Sequence, residues 1–183
     1  STMPRCYFSF EDMLRTNDRG YFPYTPPTPM LHGLRCSLDL LFDEGLPQVF
    51  ARHHRLAEGI RRGVDALGLS LCALDPRWYS DTVTAIRTPE GVDAAEVCRI
   101  GFHRYRTSFG GGLSKVAGTV FRIGHLGDLN EVMCLAALAS AEMSLADAGA
   151  KVELGAGVAA AQDYYRSAAA ALEADSCPQG GPS

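Results

Sequence analysis

Val120-Phe-Arg-Ile-Gly-His-Leu-Gly-Asp-Leu-Asn-Glu131 is the stretch on which the fold turns. Its opening, with Thr119 before it, is β-branched and aromatic, and predicts a strand over Thr119–Ile123. Strands alternate faces, so Phe121 and Ile123 share one, and Val120, Arg122 and Gly124 the other. A guanidinium in an apolar strand is costly unless it is paired or aimed at an anion. Its planar fork suits a carboxylate taken by two N–H donors. Two readings stay open for Arg122: a structural salt bridge to Asp or Glu, or an anion site. Downstream, Asp128 or Asn130 caps a long helix carrying Val132, Leu135, Leu138, Met143 and Leu145, ending near Gly149. A last helix is expected over about Val158–Glu173.

Reading outward the other way, Gly110-Gly-Gly112 is expected as a loop and Thr107–Phe109 as a short strand-like piece. Gly110-Gly-Gly-Leu-Ser-Lys115 lacks the spacing of a phosphate-binding loop, so it reads as a flexible hairpin or active-site flap. Asp93 caps a helix reaching about Tyr105, with Val97, Ile100 and Phe102 inward. Thr82–Ile86 predicts a strand, and Leu69, Leu71 and Ala73 alternate like another. Pro47 to Leu67 is amphipathic and ends at Gly68, with Arg52, Arg55, Arg61 and Arg62 mostly on its wet side. Pro29 opens a helix to Glu44, and Gly45 stops it. Residues 1–28 are expected to be an extended arm, rich in Pro and aromatics around Gly20–Thr28. The order is arm, two helices, two strands, helix, two strands, two helices. That is an α+β fold, a small antiparallel or mixed sheet covered by helices on one face. The small domain is expected over 29–175 and a disordered tail over 176–183.

The chain has 183 residues and a formal charge of −4, with a pI near 5.7. That is one domain or slightly more, with enough length for a core. The acidity argues against nucleic acid, which wants a basic face. No apolar run is long enough to cross a bilayer, since Ser140, Glu142 and Ser144 interrupt Val132–Ala146. The N-terminus lacks a signal pattern. Six cysteines, none in a CxxC pair, read as reduced and mostly buried thiols, which suits a cytoplasmic location. Lys115 and Lys151 are the only lysines among 17 Lys and Arg residues, which sharply limits lysine chemistry.

Other familiar chemistry is absent. His53 and His54 are helix neighbours about 100° apart and do not share a metal easily. Cys98 and His103 face different sides of one helix, and no zinc set emerges. No serine sits in a GxSxG turn, and no thiol has a partner placed by sequence to activate it. Glu11-Asp12 and Asp43-Glu44 read as solvated charges.

Val120–Glu131, with Tyr24-Thr-Pro-Pro-Thr-Pro-Met-Leu-His-Gly-Leu-Arg35, resembles the class V, fold-type I aminotransferases that use pyridoxal 5'-phosphate. The likeness runs from about Pro4 to Leu172 and is strongest to the serine–glyoxylate and alanine–glyoxylate branch. It implies a C-terminal portion, with the cofactor-binding large domain and its Schiff-base lysine upstream. Residues 1–28 then include the end of that large domain. Arg122 matches the arginine that binds the substrate α-carboxylate. Thr25 matches the threonine that reaches the cofactor phosphate of the partner subunit, and Tyr24 lies beside it in an arm at the dimer interface. His32 stands where the family often has tyrosine, and no role is assigned to it. No catalytic residue and no metal ligand is expected within these residues.

The implied function is transamination, in a homodimer, from serine or a similar small amino acid to glyoxylate, with this portion alone inactive. The alternative is a non-catalytic small domain that binds carboxylates or dimerises.

Overall fold

The computed structural model of the chain describes residues 3, 5 and 7–176, with side chains accounted for through residue 169. Of the tail expected over 176–183, Ser176 is the last residue of the final helix, and residues 177–183, with Cys177, lie outside the described residues. In chain order the elements are α1 (Phe10–Asn17), α2 (Thr28–Glu44), α3 (Leu46–Ala66), β1 (Val83–Arg87), α4 (Ala94–Tyr105), β2 (Gly110–Gly111), β3 (Val120–Gly124), α5 (Glu131–Asp147) and α6 (Ala156–Ser176). Two compact units divide at residue 46: Ser1–Leu46 and Pro47–Ser183.

In the first unit, α1 stands inside the segment expected to be extended. Ser9 caps it by accepting the Asp12 N–H at 3.3 Å, and Glu11 and Asp12 place negative charge in its first turn. The arm folds back on it: the Tyr24 ring lies 4.6 Å from that of Tyr7. α2 follows Pro27 and ends at Gly45, whose φ of 86° only glycine adopts at low cost. No residue of α2 is buried; Leu31, Leu34, Leu38 and Phe42 line one side and are exposed.

In the second unit the sheet order is β1-β3-β2, antiparallel throughout. Ile86, Phe121 and Ile123 meet Leu56, Ile60 and Val64 of α3 and Leu138 and Leu145 of α5 in one core. The α+β architecture expected from the sequence is the one present. α5 starts at Asn130, whose Oδ1 accepts the Met133 N–H at 3.0 Å.

Four local expectations need correction. The Leu69–Ala73 strand is reduced to a bridge, Leu71 to Ile86, with the Cys72 N–H on the Ala85 carbonyl. The strand expected at Thr107–Phe109 sits at Gly110–Gly111, where the loop was expected; Phe109 instead packs edge-on to Phe121 in the core. Phe102 points out, 55% exposed. Arg61 points in, 9% exposed, held by Glu58 at 3.1 Å and Asp81 at 3.3 Å.

Buried Glu142 on α5 serves as a cap for α6. Its carboxylate accepts the N–H groups of Gly155 at 2.6 Å and Val158 at 2.9 Å, two of the donors a helix start leaves unpaired. Gly157 leaves room for that carboxylate and for a close approach of α3 and α6: a Cβ there would lie 2.8 Å from Glu142 Oε1 and 2.8 Å from the Gly63 carbonyl oxygen.

Candidate functional site

Arg122 stands mid-way along the central strand, half-buried, while its neighbours Phe121 and Ile123 are fully in the core. Its Nε–H donates to the Gly111 carbonyl at 3.1 Å. Among the described residues it makes no ion pair, so the salt-bridge reading falls away and a free guanidinium edge remains for an anion. Gly110 is its register partner on β2. Cys98 of α4 lies behind, its Sγ 3.8 Å from the Gly110 carbonyl. Burial pushes that thiol above its ordinary range, against a smaller pull downward from the Arg122 charge. It is therefore a protonated thiol and a poor nucleophile.

Tyr24 and Thr25 belong to the first unit. Thr25 is exposed. Tyr24 is half-buried and its hydroxyl donates to Asp12 Oδ2 at 3.5 Å. Lys115 and Lys151 are both exposed. Among the described residues no cluster of His, Cys, Asp and Glu could hold a metal ion, and no helix is long and apolar enough to cross a membrane. Cys36, Cys72, Cys98 and Cys134 are free thiols, of which only Cys134 is fully buried.

The segment following Arg122 is clamped by three residues of α3, at 52, 53 and 55. The Arg52 Nη1–H donates to the Gly127 carbonyl at 2.8 Å and to that of Leu129 at 3.2 Å. His53 Nδ1 donates to Val49 O at 2.7 Å, which leaves Nε2 to accept the Gly127 N–H at 3.0 Å. Arg55 donates twice to Glu131, at 2.9 and 2.7 Å. So the segment beyond β3 is tied by three side chains of one helix, α3.

Sequence reasoning assigned nothing to His125, which is almost fully buried, 1% exposed. Its Nδ1–H donates to the Asp81 carbonyl at 3.2 Å, and its Nε2 accepts the Thr84 hydroxyl at 2.8 Å. This is the arrangement of the neutral ring, the form that burial favours. Burial is the main cause that holds its pKa below the ordinary 6.5, and nearby Arg61 adds to it. The unfolded chain therefore takes up this proton first as pH falls. Stability from His125 is full above about pH 6.5 and is lost as pH drops from there toward the folded value. Denaturant unfolding at pH 7.5, 6.5 and 5.5 should show a falling midpoint. In His125→Gln the fall over that window should be smaller. Equal falls in the two proteins would overturn the assignment.

The small three-stranded antiparallel sheet backed by helices is an architecture that this chain shares with solved fold-type I aminotransferases. It superimposes on the ureidoglycine–glyoxylate aminotransferase of Bacillus subtilis with a TM-score of 0.79 at 28% identity, over 85% of this chain and 41% of that one. For the pyridoxamine–pyruvate aminotransferase of Mesorhizobium loti the TM-score is 0.76 at 36% identity, over 81% and 38%. In sequence it is 62% identical to the serine–glyoxylate aminotransferase of Hyphomicrobium methylovorum, over 89% of this chain and 40% of the relative. It is 50% identical to the L-aspartate–glyoxylate aminotransferase of Paracoccus denitrificans, over 93% and 43%. The chain belongs to the class V aminotransferases and spans about two fifths of the length of the relatives it matches. No family model matches it.

Proposed function

We propose that the chain is the substrate-carboxylate-binding, C-terminal part of a pyridoxal-phosphate-dependent aminotransferase that moves an amino group from serine or a similar small amino acid to glyoxylate. The observation that carries this is the Arg122 guanidinium, held on a rigid central strand with no carboxylate of its own.

Arg122 takes the substrate carboxylate and fixes where its α-carbon sits. Orientation of this kind is worth a large share of a rate, since about 1 Å of misplacement can cost about 10²-fold. The partners of Arg122, a backbone carbonyl and a glycine, leave its positive charge uncompensated until a carboxylate arrives. Both substrates, amino acid and glyoxylate, carry that group, so one arginine serves both halves of the reaction.

The residues present fit the cofactor only at its edge. The hydroxyl of exposed Thr25, beside Tyr24, suits a phosphate oxygen in a homodimer. The family likeness assigns no imine to Lys115 or Lys151, both exposed, and the imine-forming lysine then lies outside these 183 residues. When bound, the cofactor supplies the electron sink for loss of the α-proton. The free thiols support a cytoplasmic location for the whole protein.

The test uses the full-length product of the source gene, supplied with pyridoxal phosphate, serine and glyoxylate. Glycine and hydroxypyruvate should form in equal amounts, from a polypeptide of about twice 19.7 kDa. A product of about 19.7 kDa that yields no glycine would replace this reading with that of a carboxylate-binding module.

A further inference from the structure

Gly110 faces Arg122 across the sheet, and the guanidinium uses the volume that a side chain there would fill. A Cβ built on Gly110 would lie 3.1 Å from Arg122 Nε and 3.3 Å from both Cζ and Nη2. The backbone gives no reason for glycine at this position. Gly110 is absent from the positive-φ residues, so any amino acid could adopt its conformation. The next residue is a natural control. Gly111 also lacks a positive φ, and a Cβ there would meet nothing within 4 Å.

Three atoms of the fork are thus accounted for. Nε–H is committed to the Gly111 carbonyl, and Cζ and Nη2 rest against the bare face of Gly110. What is left to a ligand is the outer edge, the N–H groups of Nη1 and Nη2. We infer that Gly110 is a positioning residue for Arg122: its missing side chain lets the guanidinium lie flat on β2, with Nε tied to Gly111 and the two Nη groups presented end-on to a carboxylate. The inference rests on the carboxylate role of Arg122 only for its functional consequence; the placement itself can be read without it.

A substituent at Gly110 meets the far end of a flexible side chain, not backbone, so the strand survives while the guanidinium moves. Gly110→Val is the stronger variant, because its branched Cγ atoms take the place of Cζ and Nη2 and valine suits a strand. Gly110→Ala displaces the fork by only a few tenths of an ångström, and its effect should be smaller.

The experiment has two arms, both on the full-length protein. The first follows the Arg122 Nε–H by nitrogen-15 NMR. Its exchange with water should be slowed in wild type and in Gly111→Ala, and fast in Gly110→Val. The second measures the dissociation constant of acetate, a bare carboxylate probe. Gly110→Val should weaken it about tenfold or more, Gly110→Ala severalfold, and Gly111→Ala less than twofold, scaled by the cost of misplacing a fork by about an ångström. Unchanged Nε–H protection in Gly110→Val overturns the inference outright. So does unchanged acetate binding in Gly110→Val when Arg122→Ala abolishes it. If Arg122→Ala itself leaves acetate binding intact, the carboxylate role fails, and the NMR arm still decides whether Gly110 places the guanidinium.

Discussion

Arg122→Ala is expected to raise the KM of the full-length enzyme for both amino donor and glyoxylate by about 100- to 1,000-fold, while leaving the fold nearly as stable as before. The size follows from what is removed. A two-pronged, charge-assisted pair to a carboxylate out of bulk water costs about 2–5 kcal/mol when one partner is truncated, and 1.4 kcal/mol is tenfold. The small effect on stability follows from what is not removed. Among the described residues Arg122 donates one hydrogen bond, to the Gly111 carbonyl, worth about 1 kcal/mol. The aliphatic part of the side chain is only half-buried, so the cavity left behind opens to water. The check is a pair of measurements on one sample: steady-state kinetics with each substrate, and the thermal midpoint. A midpoint within a few degrees and a KM raised a hundredfold identify a binding residue. A KM unchanged for both substrates removes Arg122 from the site. Arg122→Lys should fall between, since lysine keeps the charge and loses the planar fork.

Arg122 was legible because a strand is the one element in which a charge amid three apolar neighbours has nowhere neutral to go. The pattern Val-Phe-Arg-Ile fixes which face each residue takes, and the structure keeps that alternation at Phe121, Arg122 and Ile123. β2 was not legible. Three glycines have no strand propensity, and pairing with β3 alone makes Gly110–Gly111 a strand. The same blindness hid the use of Gly110, whose contribution is an absence of atoms. α1 did carry a readable signal, a serine followed by two acidic residues at a helix start, which the surrounding prolines and aromatics outweighed. Arg61 was misjudged, and the capping role of Glu142 went unread, for one reason. Composition treats a charge as wet, yet each is buried because its partners come from elements distant in sequence: Asp81 for Arg61, and Gly155 and Val158 for Glu142. His125 is the extreme case, with its two ring partners 44 and 41 residues away. The family likeness carried information of another kind, since it pointed to a function that no single spacing in the chain encodes.

The second large effect sets two rules against each other at Gly59. Gly59 is buried mid-helix in α3, at a position with ordinary helical geometry. Helix propensity alone says that Gly59→Ala should stabilise by about 1 kcal/mol. Packing says the reverse. A Cβ on Gly59 would fall inside the van der Waals envelope of Tyr165, against its Cζ, Cε1 and Oη. Tyr165 has little freedom to move aside: it is 5% exposed, and its hydroxyl donates to the Leu56 carbonyl at 2.8 Å. Making room means expelling the ring from the α3–α6 seam and breaking that bond. Losing a large aromatic from a core costs about 3–5 kcal/mol, well above the propensity gain. The net loss of about 2–4 kcal/mol should lower the thermal midpoint of the chain by about 5–15 °C, at 2–4 °C per kcal/mol for a chain of this size. A sign reversal separates the two causes. In a Tyr165→Leu background the atoms in the way are gone, so Gly59→Ala should be neutral or slightly stabilising, and the two sites should couple strongly in a double-mutant cycle. If Gly59→Ala raises the midpoint in the otherwise unchanged protein, propensity has won, and the close contact between α3 and Tyr165 is not a feature of the folded chain.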